Sequence, residues 1–148
     1  MNDLLQQALR IASHSDLHDL WIRSKEGEPL KGEDAMLIRM MQEHTEYLDV
    51  WERLDEIGGS QIVVNGVNPI LHVNIHAIVE NQLEQNSPLE VRQALAELLK
   101  HDPSRHEAIH TVAYHLFMEI NKTLQTLRPF NHIAYKRRLE KLAGKKRF

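Results

Sequence analysis

Apolar residues recur at helical spacing along almost the whole chain, and the periodic segments are sharply punctuated. Leu5, Ala8, Leu9, Ala12 and Leu20 share one face of a helix predicted over about residues 4–25, with Asp3 as its cap. Gly27, Pro29 and Gly32 end it. A second helix is predicted over about 33–57, stopped by Gly58 and Gly59. The segment 60–67 reads as loop or a short extended piece. Gln61-Ile62-Val63-Val64 has strand propensity there but no second strand to pair with.

Three further helix starts share one design. Asn68-Pro69, Ser87-Pro88 and Asp102-Pro103 each set a capping side chain before a proline at the first helical position. The side-chain oxygen accepts from an N–H that has no helical partner, and the missing proline N–H had none to lose. Ser87 with Glu90 adds a capping-box pattern. These starts predict helices over about 69–85, 88–101 and 103–127, with Arg128-Pro129 ending the last and a short helix over about 131–142. Short links between long helices imply antiparallel neighbours. The expectation is an all-α fold, an up-and-down helical bundle with additional short helices, forming a single domain over 1–148.

Composition narrows the chemistry. The 148 residues include no cysteine, which excludes disulfides, thiolate metal sites and cysteine nucleophiles. No apolar run approaches the roughly 20 residues of a membrane span, and the first residues lack a basic segment followed by an apolar one. A cytoplasmic protein with no membrane partner is expected. Ten histidines are present, about three times an ordinary share for this length. The net charge of −3 conceals a split. Residues 1–135 carry 11 basic against 20 acidic side chains, a net −9, while 136–148 carry seven basic against Glu140, a net +6. The acidic body argues against general nucleic-acid affinity. The basic tail 136–148 is a candidate for a weak anionic contact.

The histidines are not scattered. His72 and His76 are four apart on one predicted helix, and His106 and His110 four apart on another. Two imidazoles one turn apart can reach the same metal ion. His106 and His110 align with Ile109, Ala113, Phe117, Ile120 and Leu124; His72 and His76 align with Ile75, Val79 and Leu83; His44 aligns with Leu37, Met40, Leu48 and Trp51. Five histidines on three helices thus face the apolar interior, where imidazoles without partners would be costly. Neutral imidazole is a common ligand for transition metals. Glu80 extends the His72–His76 stripe and lies about 80° round the helix from His72. The candidate metal residues are therefore His44, His72, His76, Glu80, His106 and His110. His14, His18, His101, His115 and His132 read as structural, and Glu119 falls about 140° from the His106 direction, on the far side of its helix.

Asn68-Pro69-Ile70-Leu71-His72-Val73-Asn74-Ile75-His76, continuing to Glu80 and Gln82, resembles the signature of the bacterial domain of unknown function 1841 family. Ser87-Pro88-Leu89-Glu90-Val91-Arg92 and Arg105-His106-Glu107-Ala108-Ile109-His110 fit the same family at similar spacing. His44-Thr45-Glu46-Tyr47 resembles its upstream element, with Thr45 where proline is more usual. The resemblance covers roughly 33–140. It departs after the second histidine pair, where the family tends to carry a tryptophan and this chain has Phe117 and Ile120. It implies a helical bacterial protein and groups the five histidines, but supplies no reaction.

Two functions compete at this point. The first is a metalloprotein with a histidine-rich site holding a transition metal, iron or zinc. It is similar to hemerythrin-like proteins in its histidine pairs, though only Glu80 is placed as a carboxylate. A variant of it uses His44 with His106 and His110 as a three-histidine site with an open position. The second is a non-enzymatic interaction module with a histidine-rich core and the basic tail as its contact segment. No phosphate loop, nucleophile elbow or dinucleotide fingerprint is present.

Overall fold

The computed structural model describes residues 14–57, 63–64, 67–101 and 104–144. Their regular structure is helical: α1 (His14–Lys25), α2 (Gly32–Glu43), a 3₁₀ turn (Thr45–Tyr47), α3 (Leu48–Glu52), α4 (Leu54–Ile57), α5 (Pro69–Gln85), α6 (Leu89–His101), α7 (Arg105–Thr126) and α8 (His132–Leu142). The all-α expectation holds. Asp3, the stop at Gly58-Gly59, the cap at Asp102-Pro103 and the basic residues Lys145, Lys146 and Arg147 lie outside the described residues. Of the segment 60–67, Val64 and Val67 exchange two backbone hydrogen bonds of 2.8 and 3.1 Å in one isolated antiparallel bridge. No helix of the described residues is long and apolar enough to cross a membrane.

The described residues divide into two compact units, one up to Ala77 and one from Ile78 onward. The boundary falls inside α5, which gives its first half to one unit and its second half to the other.

In the first unit, Gly27 ends α1 as the punctuation predicts. It sits at φ +81°, and Glu28 N–H reaches back to Arg23 O at 3.1 Å, a closure that needs the left-handed backbone glycine adopts most readily. Leu17, Leu20 and Trp21 of α1 pack with Met36, Ile38, Met40 and Met41 of α2, Tyr47, Val50, Trp51, Leu54, and Ile70 and Val73 of α5. Trp51 is fully buried and its indole N–H donates to Met41 O at 3.0 Å. This is the partner a buried indole requires. Lys25 and Glu52 close one edge of the unit at 2.8 Å.

The predicted helix over 33–57 is not continuous. It stops at Glu43, turns through Thr45–Tyr47, and resumes as two short helices. No glycine or proline marks the break. The His44 side chain causes it in part, by folding back onto the last turn of α2, as described below.

In the second unit, α6 packs against α7 and α8 around Val91, Ala94, Leu95, Ile109, Val112, Leu116, Ile120, Tyr135 and Leu139, all buried. The predicted starts shift by a residue or two. α6 begins at Leu89, after a cis Ser87–Pro88 peptide. α7 begins at Arg105 with Ser104 as its cap, whose Oγ accepts from Glu107 N–H at 3.2 Å. Asn131 caps α8 by accepting from Ala134 N–H at 2.9 Å.

Tyr135 is almost completely buried, and its hydroxyl donates to Gln82 Oε1 at 2.8 Å. Burial pushes this phenol far above its ordinary range, so it stays a donor. Tyr135→Phe leaves the buried Gln82 oxygen without that bond. A loss of about 1–3 kcal/mol is expected in urea unfolding, and a change under 0.5 kcal/mol would show that the bond is replaced.

Candidate metal centre

Asn68 starts the construction. Its Oδ1 accepts from Ile70 N–H at 3.0 Å and Leu71 N–H at 3.3 Å, which caps α5 with Pro69 at the first helical position. The helix is therefore in phase from its first turn. Ile70 and Val73 enter the core, and His72 and His76 stand one turn apart beside them. His72 is partly buried and His76 almost fully buried. Their ring centroids are 4.4 Å apart.

His44 reaches the same place from α2. Its backbone N–H donates to Met40 O at 3.2 Å, and its ring Nδ1 lies 2.7 Å from the same oxygen. A carbonyl oxygen only accepts, so Nδ1 carries the proton. In a neutral ring that leaves the lone pair on Nε2. His44 Nε2 lies 3.1 Å from His72 Nε2. The His44 ring meets His72 and His76 nearly edge-on, each at a centroid distance of 4.8 Å. His44 itself is 0% exposed. One ligand atom from each of these three rings lies within 4.8 Å of the others.

Two nitrogens bound to one ion at about 2.0–2.1 Å in a tetrahedral site sit roughly 3.3 Å apart. The His44–His72 separation is close to that spacing. The backbone carbonyl behind His44 is also the usual partner for the second nitrogen of a metal-binding histidine, fixing tautomer and ring orientation together.

Tyr47 walls the cluster. Its ring lies parallel to His44 at 6.0 Å between centroids and edge-on to His72 at 5.8 Å. Burial, helped by the Glu46 charge, raises the phenol above its ordinary value. It therefore remains a neutral phenol at neutral pH in the metal-free chain.

In the second unit the remaining candidates separate. The His106 and His110 rings lie 4.3 Å apart on the first two turns of α7. His106 is exposed, whereas His110 is partly buried. The buried face of this helix runs through Ile109, Val112, Leu116, Ile120 and Thr123, while Leu124, expected inside, is 46% exposed. Glu80 is 4% exposed and held by Arg105, whose Nη1 and Nη2 donate to its two oxygens at 2.6 and 2.8 Å. Glu119 is equally buried in another network, with Arg138 Nε at 2.6 Å and Lys122 at 3.5 Å.

The family model described as Domain of unknown function (DUF1841) matches residues 10–141. The chain belongs to this family. No curated protein and no solved structure matches it. The family match spans every candidate metal residue, and its description assigns no activity. Function must therefore be argued from the side chains.

Sequence reasoning missed three participants. Tyr47 had a signal, since it closes the His44-Thr45-Glu46-Tyr47 element. The Met40 carbonyl had none, because a backbone group becomes a partner only where the helix ends. Arg105 stands immediately before His106 but pairs with Glu80, 25 residues away, a link that spacing does not reveal.

Proposed function

We propose that the chain is a metal-binding protein in which His44, His72 and His76 hold one transition-metal ion, iron or zinc. The observation that carries the reading is the His44 ring: its proton faces Met40 O, and its Nε2 lone pair faces His72 Nε2 at 3.1 Å. Glu80 is left out because Arg105 engages both its oxygens. Three imidazoles suit zinc, copper, nickel or iron better than a hard cation such as magnesium or calcium. Three histidines leave the fourth tetrahedral position open, as hydrolytic sites do for water.

The test is elemental analysis of untagged protein purified without chelator or immobilised metal, beside a His72→Ala/His76→Ala variant. About one equivalent of metal per chain is expected, falling below about a tenth in the variant. Two equivalents would replace the single ion with a dinuclear site. No metal, and none taken up on titration, would overturn the reading and leave a histidine-rich core in an interaction module.

A further inference from the structure

On α7, His115, Glu119 and Lys122 recur at helical spacing along one face; on α8, Ala134, Arg137, Arg138, Lys141 and Leu142 do the same. Together these two faces line a cavity of about 460 Å³. We propose that this cavity binds a small organic phosphate. The proposal is independent of the metal reading and uses none of its residues.

Charge comes first. Four cations, Lys122, Arg137, Arg138 and Lys141, surround a single carboxylate, Glu119. That carboxylate is already matched by Arg138 Nε at 2.6 Å and by Lys122 at 3.5 Å. The ion pairs the structure shows at this cavity are those of Glu119 with Arg138 and with Lys122. The cavity therefore carries surplus positive charge in a chain whose first 135 residues are net −9. Such contrast concentrates a small anion locally, while the acidic body opposes a long polyanion such as RNA.

Preorganisation comes second. Arg138 is held at both ends, with Nε donating to Glu119 and Nη1 donating to His115 Nδ1 at 3.2 Å. Among the described residues this uses two of the five N–H groups of the guanidinium. The rest belong to a fork fixed before any ligand arrives, a geometry that matches phosphate oxygens. Because His115 Nδ1 accepts, its Nε2 carries the proton as one more donor. Burial, and then the Arg138 charge, lower the His115 pKa, which keeps the ring in this neutral form.

Size and lining come third. The volume falls within the range of small-molecule pockets. Ala134 and Leu142 add apolar surface beside the cations. This suits an organic body bearing a phosphate better than a bare ion.

The test is calorimetric titration of the full chain with ADP, inorganic pyrophosphate and adenosine. Saturable binding of one ADP per chain is expected, with pyrophosphate weaker and adenosine silent. Lys141→Ala and Arg138→Gln should each weaken ADP by about tenfold or more. Lys136→Ala, on the same helix but off the lining, should change it less than about twofold. Lys141 is exposed, so its variant tests the idea even if Arg138→Gln fails to fold. ADP binding retained in His72→Ala/His76→Ala separates this cavity from phosphate captured by a metal. No binding of ADP or pyrophosphate to folded wild type would overturn the proposal. So would equal losses in Lys136→Ala and Lys141→Ala, or affinity for single-stranded RNA that exceeds ADP and grows with length.

Discussion

His44→Gln is expected to lower metal affinity by more than about 100-fold while leaving the metal-free protein folded. The bound follows from comparison: loss of an outer partner of a ligating histidine already costs about 10–100-fold, and His44 is read as a ligand itself. Glutamine is chosen over alanine for a physical reason. The His44 side chain is fully buried and its Nδ1 bonds Met40 O at the end of α2. Alanine would open a cavity and drop that bond, confusing folding with binding. A glutamine amide retains an N–H for a carbonyl but offers only a weak ligand oxygen to a transition metal. The readout is the shift in stability on adding metal. At a free concentration 100 times the dissociation constant, a ligand adds about 2.7 kcal/mol to the native state. Wild type should show an increment of that size and His44→Gln one near zero. An equal increment in both proteins would remove His44 from the site, and with it the observation on which the metal reading rests.

The helices were legible in the sequence where their signals were local. Asn68-Pro69 marked the start of α5 because an asparagine cap and a first-position proline act within three residues. The end of α7 was legible from Arg128-Pro129, with Leu127 closing it at φ +58°. What escaped was non-local. At the break the His44 ring bonds a carbonyl and meets α5, contacts that no local signal marks, so a periodic pattern runs straight through it. The grouping of His44 with His72 and His76 was legible only as shared orientation. Its geometry depended on that hidden break. The difference between His106 and His110 was lost for another reason. Residues four apart differ by about 40° round a helix, too little for apolar periodicity to tell an exposed first turn from a buried second one. Glu119 was set apart from the histidines by its angle. Its pairing with Arg138 needed the placement of α8, 19 residues away. Likewise, nothing in the periodicity of α5 marks the division between Ala77 and Ile78.

Arg105→Ala is expected to destabilise the protein by about 3 kcal/mol. Glu80 is 4% exposed and receives two parallel N–H bonds from the guanidinium, the strongest arrangement an arginine and a carboxylate can make. Removing one partner of such a pair strands the other, at about 3–5 kcal/mol when both are buried. The Arg105 side chain is 54% exposed, which lets water reach the carboxylate from that side and places the effect at the low end. Glu80→Gln keeps the shape and loses the charge, so a smaller cost of about 1–2 kcal/mol is expected. The double variant Glu80→Gln/Arg105→Ala should be less destabilised than the two single effects added together, because each partner's loss matters mainly through the other. Urea unfolding of the four proteins measures the coupling, and strict additivity would show that the pair contributes nothing as a pair. The same variants decide what Glu80 does chemically. Glu80 lies one turn beyond His76 on α5, where a carboxylate ligand would be expected. If Glu80 serves this ion pair and not the metal, Glu80→Gln binds metal as wild type does. If metal content collapses in Glu80→Gln but survives in Arg105→Ala, the carboxylate leaves the guanidinium when the ion binds, and the pair is a guarded ligand instead of a strut.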